Sequence, residues 1–91
     1  MLSAVWVFCG EGDIIPSGVF TDEKLAEEWI AKHSLTGMLT EYPLDIGLYE
    51  WAISKGYFKP KYPSHETPKF IGGFSSAYLT HSHFENGKKL T

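Results

Sequence analysis

The chain has 91 residues, 43% hydrophobic and 15% aromatic, with eight lysines against eleven carboxylates and a net charge of −3. That length fits one globular domain over 1–91, and that apolar content offsets enough ordering entropy to exclude a disordered chain. One cysteine excludes an internal disulfide, and without a membrane-length apolar run or a secretion signal a cytoplasmic protein is expected.

The charge is uneven. Residues 11–50 hold nine carboxylates and two lysines, or −7, whereas residues 51–91 hold six lysines and two glutamates, or +4. Such asymmetry predicts a dipolar surface whose acidic part suits a cationic partner. Every basic residue is lysine. Arginine's planar fork, the usual reader of guanine and clamp of phosphate, is missing, so no nucleic-acid partner is expected.

In chain order, SAVWVFCG (Ser3–Gly10) is a nearly continuous apolar run rich in β-branched and aromatic residues. It predicts a central strand buried on both faces. EGDIIPSG is a loop, with Ile14 and Ile15 folding back on the core before a short extended GVF. Thr21 then reads as a helix N-cap, Phe20 and Leu25 as a hydrophobic staple, and Asp22 and Glu23 as first-turn acids. The helix should run from Asp22 to His33, with Leu25, Ala26, Trp29, Ile30 and His33 on one face, acids elsewhere, and Gly37 as its stop.

MLTEY predicts a strand with Met38, Thr40 and Tyr42 on one face and Leu39 and Glu41 on the other, ended by Pro43. Asp45 reads as a second N-cap and Leu44 with Tyr49 as its staple, for a short helix over 46–55 that ends at Gly56. At about 100° per residue Ile46, Tyr49, Ala52 and Ile53 cluster on one side and Trp51 projects opposite. Trp51 therefore either packs under another segment or is an exposed aromatic anchor flanked by Asp45 and Glu50.

KPKYPSHE is a lysine- and proline-rich loop. Thr67 as N-cap and Pro68 at the first helical position open one or two turns weakened by Gly72 and Gly73. AYLTHSHFENG closes the fold as a strand, with Ala77, Leu79, His81 and His83 on one face and Tyr78, Thr80, Ser82 and Phe84 on the other, turned by Asn86-Gly87. The expected class is α+β: a small, mainly antiparallel sheet of at least three strands, packed by one long helix and one or two short ones.

Chemistry-bearing residues are few. His81 and His83 share a strand face, with His65 and Cys9 as conceivable further ligands, but no third ligand stands at a recognisable spacing. No metal is assigned. Cys9 in CGEG could be a nucleophile, yet a lone cysteine ending an apolar strand reads more simply as a small hydrophobe. The Gly10-Glu11-Gly12 and Gly72-Gly73 stretches are turns, too short for a phosphate loop. Glu41 with Asp45 or Glu50 could be nominated as an acid pair only by elimination.

No catalytic residue and no cofactor are therefore expected. The reading is a binding surface, on which Glu11, Asp13, Glu41, Asp45 and Glu50 steer a protein partner and Trp51 or Tyr57 anchors it. The alternatives are a small metal-dependent or cysteine enzyme using His81, His83, His65 or Cys9, and a structural or oligomerising module.

The motifs VWVF, PSGVF, LAEEWI, YPLD, YEWAI and HSHFENG, spread over nearly the whole chain, resemble a family of small, functionally uncharacterised bacterial proteins of about this length. The family pattern often has histidine where this chain has Cys9, which argues further against a cysteine nucleophile. The resemblance names no reaction. By analogy with small acidic α+β proteins encoded beside toxin genes, it implies an immunity protein that neutralises a cationic bacterial toxin.

Overall fold

Ala4–Gly10 (β1) directs successive side chains to opposite faces, as a strand must, and the sheet is assembled around it. The computed structural model describes residues 2–90. Gly18–Phe20 (β2), Gly37–Pro43 (β3), His81–Glu85 (β4) and Lys88–Lys89 (β5) complete a five-stranded antiparallel sheet in the order β2-β1-β3-β4-β5. Helices are Glu23–Lys32 (α1), Leu48–Ser54 (α2) and Pro68–Gly72 (α3), with a 3₁₀ turn at Pro63–Glu66 in the segment expected to be a loop. The fold is α+β. The chain divides into two compact units, one holding all five strands and α1, the other, Asp45–Tyr78, inserted between β3 and β4.

In the sheet unit, register decides which side chains share a face. Phe8 lies opposite Leu39, and Gly37 opposite Phe84. These three aromatic and aliphatic residues meet Ala26 and Ile30 of α1 in one buried cluster, edged by Trp6, Phe20, Trp29 and Leu35. Trp29 meets Phe8 edge-on at 5.7 Å and tilts against Phe20 at 5.4 Å. The opposite face carries the row Val19, Val7, Thr40, His81 and the row Cys9, Met38, His83. Val7 and Cys9 are only half-buried, so β1 is not buried on both faces. Phe8 is the one buried residue of the strand, and the rest of its apolar run is half-buried.

Caps explain where α1 begins and ends. Asp22, not Thr21, is the N-cap, its carboxylate accepting from the Lys24 amide at 2.9 Å. The shift moves Phe20 and Leu25 out of staple positions, and Leu25 is 52% exposed. The helix ends earlier than Gly37. Ser34 adopts φ 54°, its amide donating to Ala31, while the Leu35 amide donates to Ile30, a Schellman closure that tucks Leu35 against the core. Gly37 instead opens β3, where a Cβ would run into the Cys9 carbonyl.

The Asn86-Gly87 turn behaves as its sequence predicts. Both residues have positive φ, 51° and 84°, and Glu85 pairs with Lys88 across a two-residue hairpin. The strand before it starts at His81 rather than Ala77, with the Glu41 amide donating to the Thr80 carbonyl just ahead. Lys89 of β5 reaches Glu27 at 3.2 Å and Glu23 at 3.6 Å, and the hydrogen bond to Glu27 holds its ammonium above the usual lysine range.

In the inserted unit, Thr67 caps α3 as expected, accepting from the Phe70 amide at 3.2 Å. Asp45 is not a cap: it sits at φ 60°, and α2 begins after Gly47 without a side-chain cap. Gly56 does close α2, at φ 79°, its amide donating to Ile53 and that of Tyr57 to Ala52. Of the four residues expected on the apolar face, Tyr49 and Ala52 are buried, whereas Ile46, which precedes the helix, and Ile53, within it, are exposed. Phe58, Phe70 and Phe74 surround Tyr49 at centroid distances of 5.9, 6.3 and 5.7 Å.

Candidate functional site

Three loops meet where β1 leaves the sheet through Gly10 and β3 enters through Gly37. The Glu11 amide donates to Thr36 at 3.0 Å, the Asn86 amide to the Thr36 hydroxyl at 3.0 Å, and the Gly87 amide to Leu35 at 2.8 Å. The Asp13 amide folds back on Gly10 at 3.0 Å. This backbone lattice holds open a cleft of about 370 Å³, with the exposed carboxylates Glu11, Asp13 and Glu85 among its lining and Met38, Phe84 and Leu90 as its apolar part. His83 and Cys9 also border it.

Cys9 and His83 are not a nucleophile and base pair. Both pair with Met38, on opposite sides of β3, so two strand spacings, about 10 Å, separate their backbones. The Cys9 thiol lies 3.8 Å from the Asp13 carbonyl instead. Among the described residues, no three His, Cys, Asp or Glu side chains are grouped to hold a metal ion. His65, once a conceivable ligand, belongs to the inserted unit, where its Nδ1 accepts from the Lys61 amide at 3.1 Å and its ring stacks on Phe70 at 4.8 Å.

The open sheet face continues from the cleft. Ile14 and Ile15 do not fold back on the core: they are 92% and 75% exposed. Ile14 and Pro16 border a hollow of about 410 Å³ whose floor is Val7, Val19, Thr40 and Tyr42.

Of the residues expected to bind a partner, Glu11 and Asp13 come together in the cleft. Glu41 lies opposite Trp6, on the helix-covered face, and is half-buried. Asp45, Glu50, Trp51 and Tyr57 belong to the inserted unit. There Trp51 is half-buried and lies 5.5 Å from Tyr57, which stacks on Tyr78 at 4.2 Å with only 10° between the rings. Tyr57 and Tyr78 are 44% and 66% exposed. The sequence reading missed Tyr78, Glu85, Met38 and Leu90; the Asn86-Gly87 hairpin, which brings Glu85 and Leu90 together, was the available signal for two of them.

The model of one family, described as a domain of unknown function (DUF7710), matches residues 5–90. The chain belongs to that family. No curated protein and no solved structure matches it. No helix among the described residues is long and apolar enough to cross a membrane.

Proposed function

We propose that the protein is a binding protein rather than an enzyme, that its partner is a cationic protein, and that in its most specific form it is an immunity protein. In that form it occludes the active site of a cationic bacterial toxin in a one-to-one cytoplasmic complex. The observation that carries this reading is the cleft at the end of the sheet, where three carboxylates adjoin an apolar floor. A lysine or arginine side chain has the matching anatomy, an aliphatic stem for Met38 and Leu90 and a charged head for Glu11, Asp13 and Glu85. Glu41, Asp45 and Glu50 add to the long-range field that steers the encounter, and the Trp51, Tyr57 and Tyr78 rings offer a second, aromatic patch.

The test is co-production with the product of the adjacent gene in the source genome. The reading expects protection of the producing cells and a one-to-one complex whose association slows about tenfold or more on Glu11→Lys with Asp13→Lys, and also on raising salt. No complex and no protection would sink the immunity form. A complex indifferent to both charge reversals and to salt would sink the acidic cleft as its seat.

A further inference from the structure

We propose that His81 and His83, with Met38 beside them, form a surface copper site, a proposal that stands apart from the protein-binding reading. The two histidines project from the same, exposed face of β4, and their ring centroids are 5.5 Å apart. Two imidazoles sharing an ion, each nitrogen about 2.0–2.1 Å from it and about 1.2 Å from its own centroid, place their centroids about 4.5–5.5 Å apart for ligand angles of about 90–120°. The pair already stands at the separation that chelation requires.

The tautomer of His81 is also set. Its Nδ1 lies 2.7 Å from the Leu79 carbonyl, and because a carbonyl oxygen only accepts, Nδ1–H must be the donor. The Nε2 lone pair is thereby left free, which is how a backbone carbonyl orients a metal-binding histidine. The other two histidines are engaged differently. His65 spends Nδ1 as an acceptor and stacks on Phe70, and His33 caps α1 with its ring 6.0 Å from Trp29.

The third donor comes from the neighbouring strand, where sequence spacing could not reveal it. Met38 pairs directly with His83, which puts the two Cβ atoms about 5 Å apart, and it is 38% exposed rather than buried in the core. Two imidazoles and a thioether make a soft donor set that favours Cu(I), and copper tops the divalent affinity order for the imidazoles as well. Glu85, two residues on from His83, and the Glu11 and Asp13 carboxylates of the cleft that His83 and Met38 border make the local potential attractive to a cation. Cys9 stands one strand beyond Met38 and is not a ligand in this arrangement.

Anaerobic titration of the purified full chain with Cu(I), against a chromophoric Cu(I) chelator, tests the site. The expected result is one equivalent bound, weakened about tenfold or more by His81→Ala or His83→Ala, weakened for Cu(I) but not for Zn²⁺ by Met38→Leu, and unchanged by His33→Ala, His65→Ala or Cys9→Ser. Because the two histidines are exposed, circular dichroism of each variant should match the parent chain. Binding that disappears with Cys9→Ser and survives both histidine variants would identify an adventitious thiol site and overturn the proposal, as would the absence of any histidine-dependent equivalent. A shift of the Met38 methyl resonance on adding that equivalent supports thioether ligation independently of affinity, and an unmoved methyl overturns Met38's part in the site.

Discussion

In the sheet unit, Phe8, Leu39 and Phe84 reach one core from three strands that are distant in sequence, and register alone decides that they meet each other and α1. In Asp45–Tyr78 the rings of Tyr49, Phe58, Phe70 and Phe74 converge from two short helices and the turns beside them, with no strand to align them. The first arrangement buries Phe8, Ile30 and Leu39 almost completely. The second leaves Phe58, Phe70 and Phe74 half-buried. A sheet with one covering helix excludes water from side chains by pleat and register, while short helices rely on large rings to cover area that little backbone order supplies. The loops that hold the acidic cleft belong to the more fully buried unit, as a preorganised binding surface requires.

The largest effect that sharpens this comparison is Phe8→Ala. Full burial against Trp29, Leu39 and the helix predicts a loss of about 3–5 kcal/mol in chemical denaturation, whereas half-buried Phe74→Ala should cost about half as much. Hydrogen exchange should locate the difference: Phe8→Ala lowers protection throughout β1 and β3, and Phe74→Ala lowers it first within Asp45–Tyr78. Equal costs for the two substitutions would break the contrast between a register-built core and a ring-built one.

A smaller effect tests how the sheet unit's helix is fixed. Asp22→Ala should cost about 1 kcal/mol, because the Lys24 amide loses its acceptor, while Thr21→Ala stays within a few tenths. Urea midpoints of the two variants measure this directly. A larger loss at Thr21 would return the cap to the residue that the sequence favours.

That displaced cap shows which features were legible. Thr21 and Asp22 are adjacent and chemically eligible, so composition locates a helix start there but cannot choose between them. Gly56, Thr67 and Asn86-Gly87 were readable because each backbone requirement is met by the residue type that most commonly meets it. Ser34 was not, since a serine at φ 54° does what glycine usually does, and Gly37 drew the assignment although its smallness serves a close strand approach. Asp45 failed in the opposite way: its positive φ uses the aspartate's tolerance of the left-handed region rather than its capping oxygen. For the site, the acids at Glu11 and Asp13 were visible in a charge count. Their meeting with Glu85, Met38 and Leu90 was not, because it follows from β1–β3–β4 register and a hairpin turn that no local pattern encodes.

The smallest effect compares one titrating group in each unit, and both act at alkaline pH. The hydrogen bond and charge of Glu27 hold the Lys89 ammonium above the ordinary lysine range, and burial first, then the charges of Glu66 and Glu50, push the Tyr49 phenol above the ordinary tyrosine range. In both cases the folded chain holds its proton more tightly than the unfolded chain does. The stability each provides is therefore complete below its unfolded value, near pH 10, and is lost as pH rises through the folded one. Lys89→Gln should lower the melting temperature slightly at pH 8 in low salt, with the gap to the parent chain closing in high salt and again as alkaline pH removes the Lys89 proton. Tyr49→Phe should remove a titration rather than an ion pair, so its melting temperature falls less steeply than the parent's above pH 10 and responds little to salt. Melting curves of the three proteins between pH 8 and 11.5, each at two salt concentrations, separate the cases. If Lys89→Gln tracked the parent chain at every pH and salt concentration, the contacts from β5 to α1 would contribute nothing to holding the helix on the sheet, and that attachment would rest on the Phe8, Ile30 and Leu39 cluster alone.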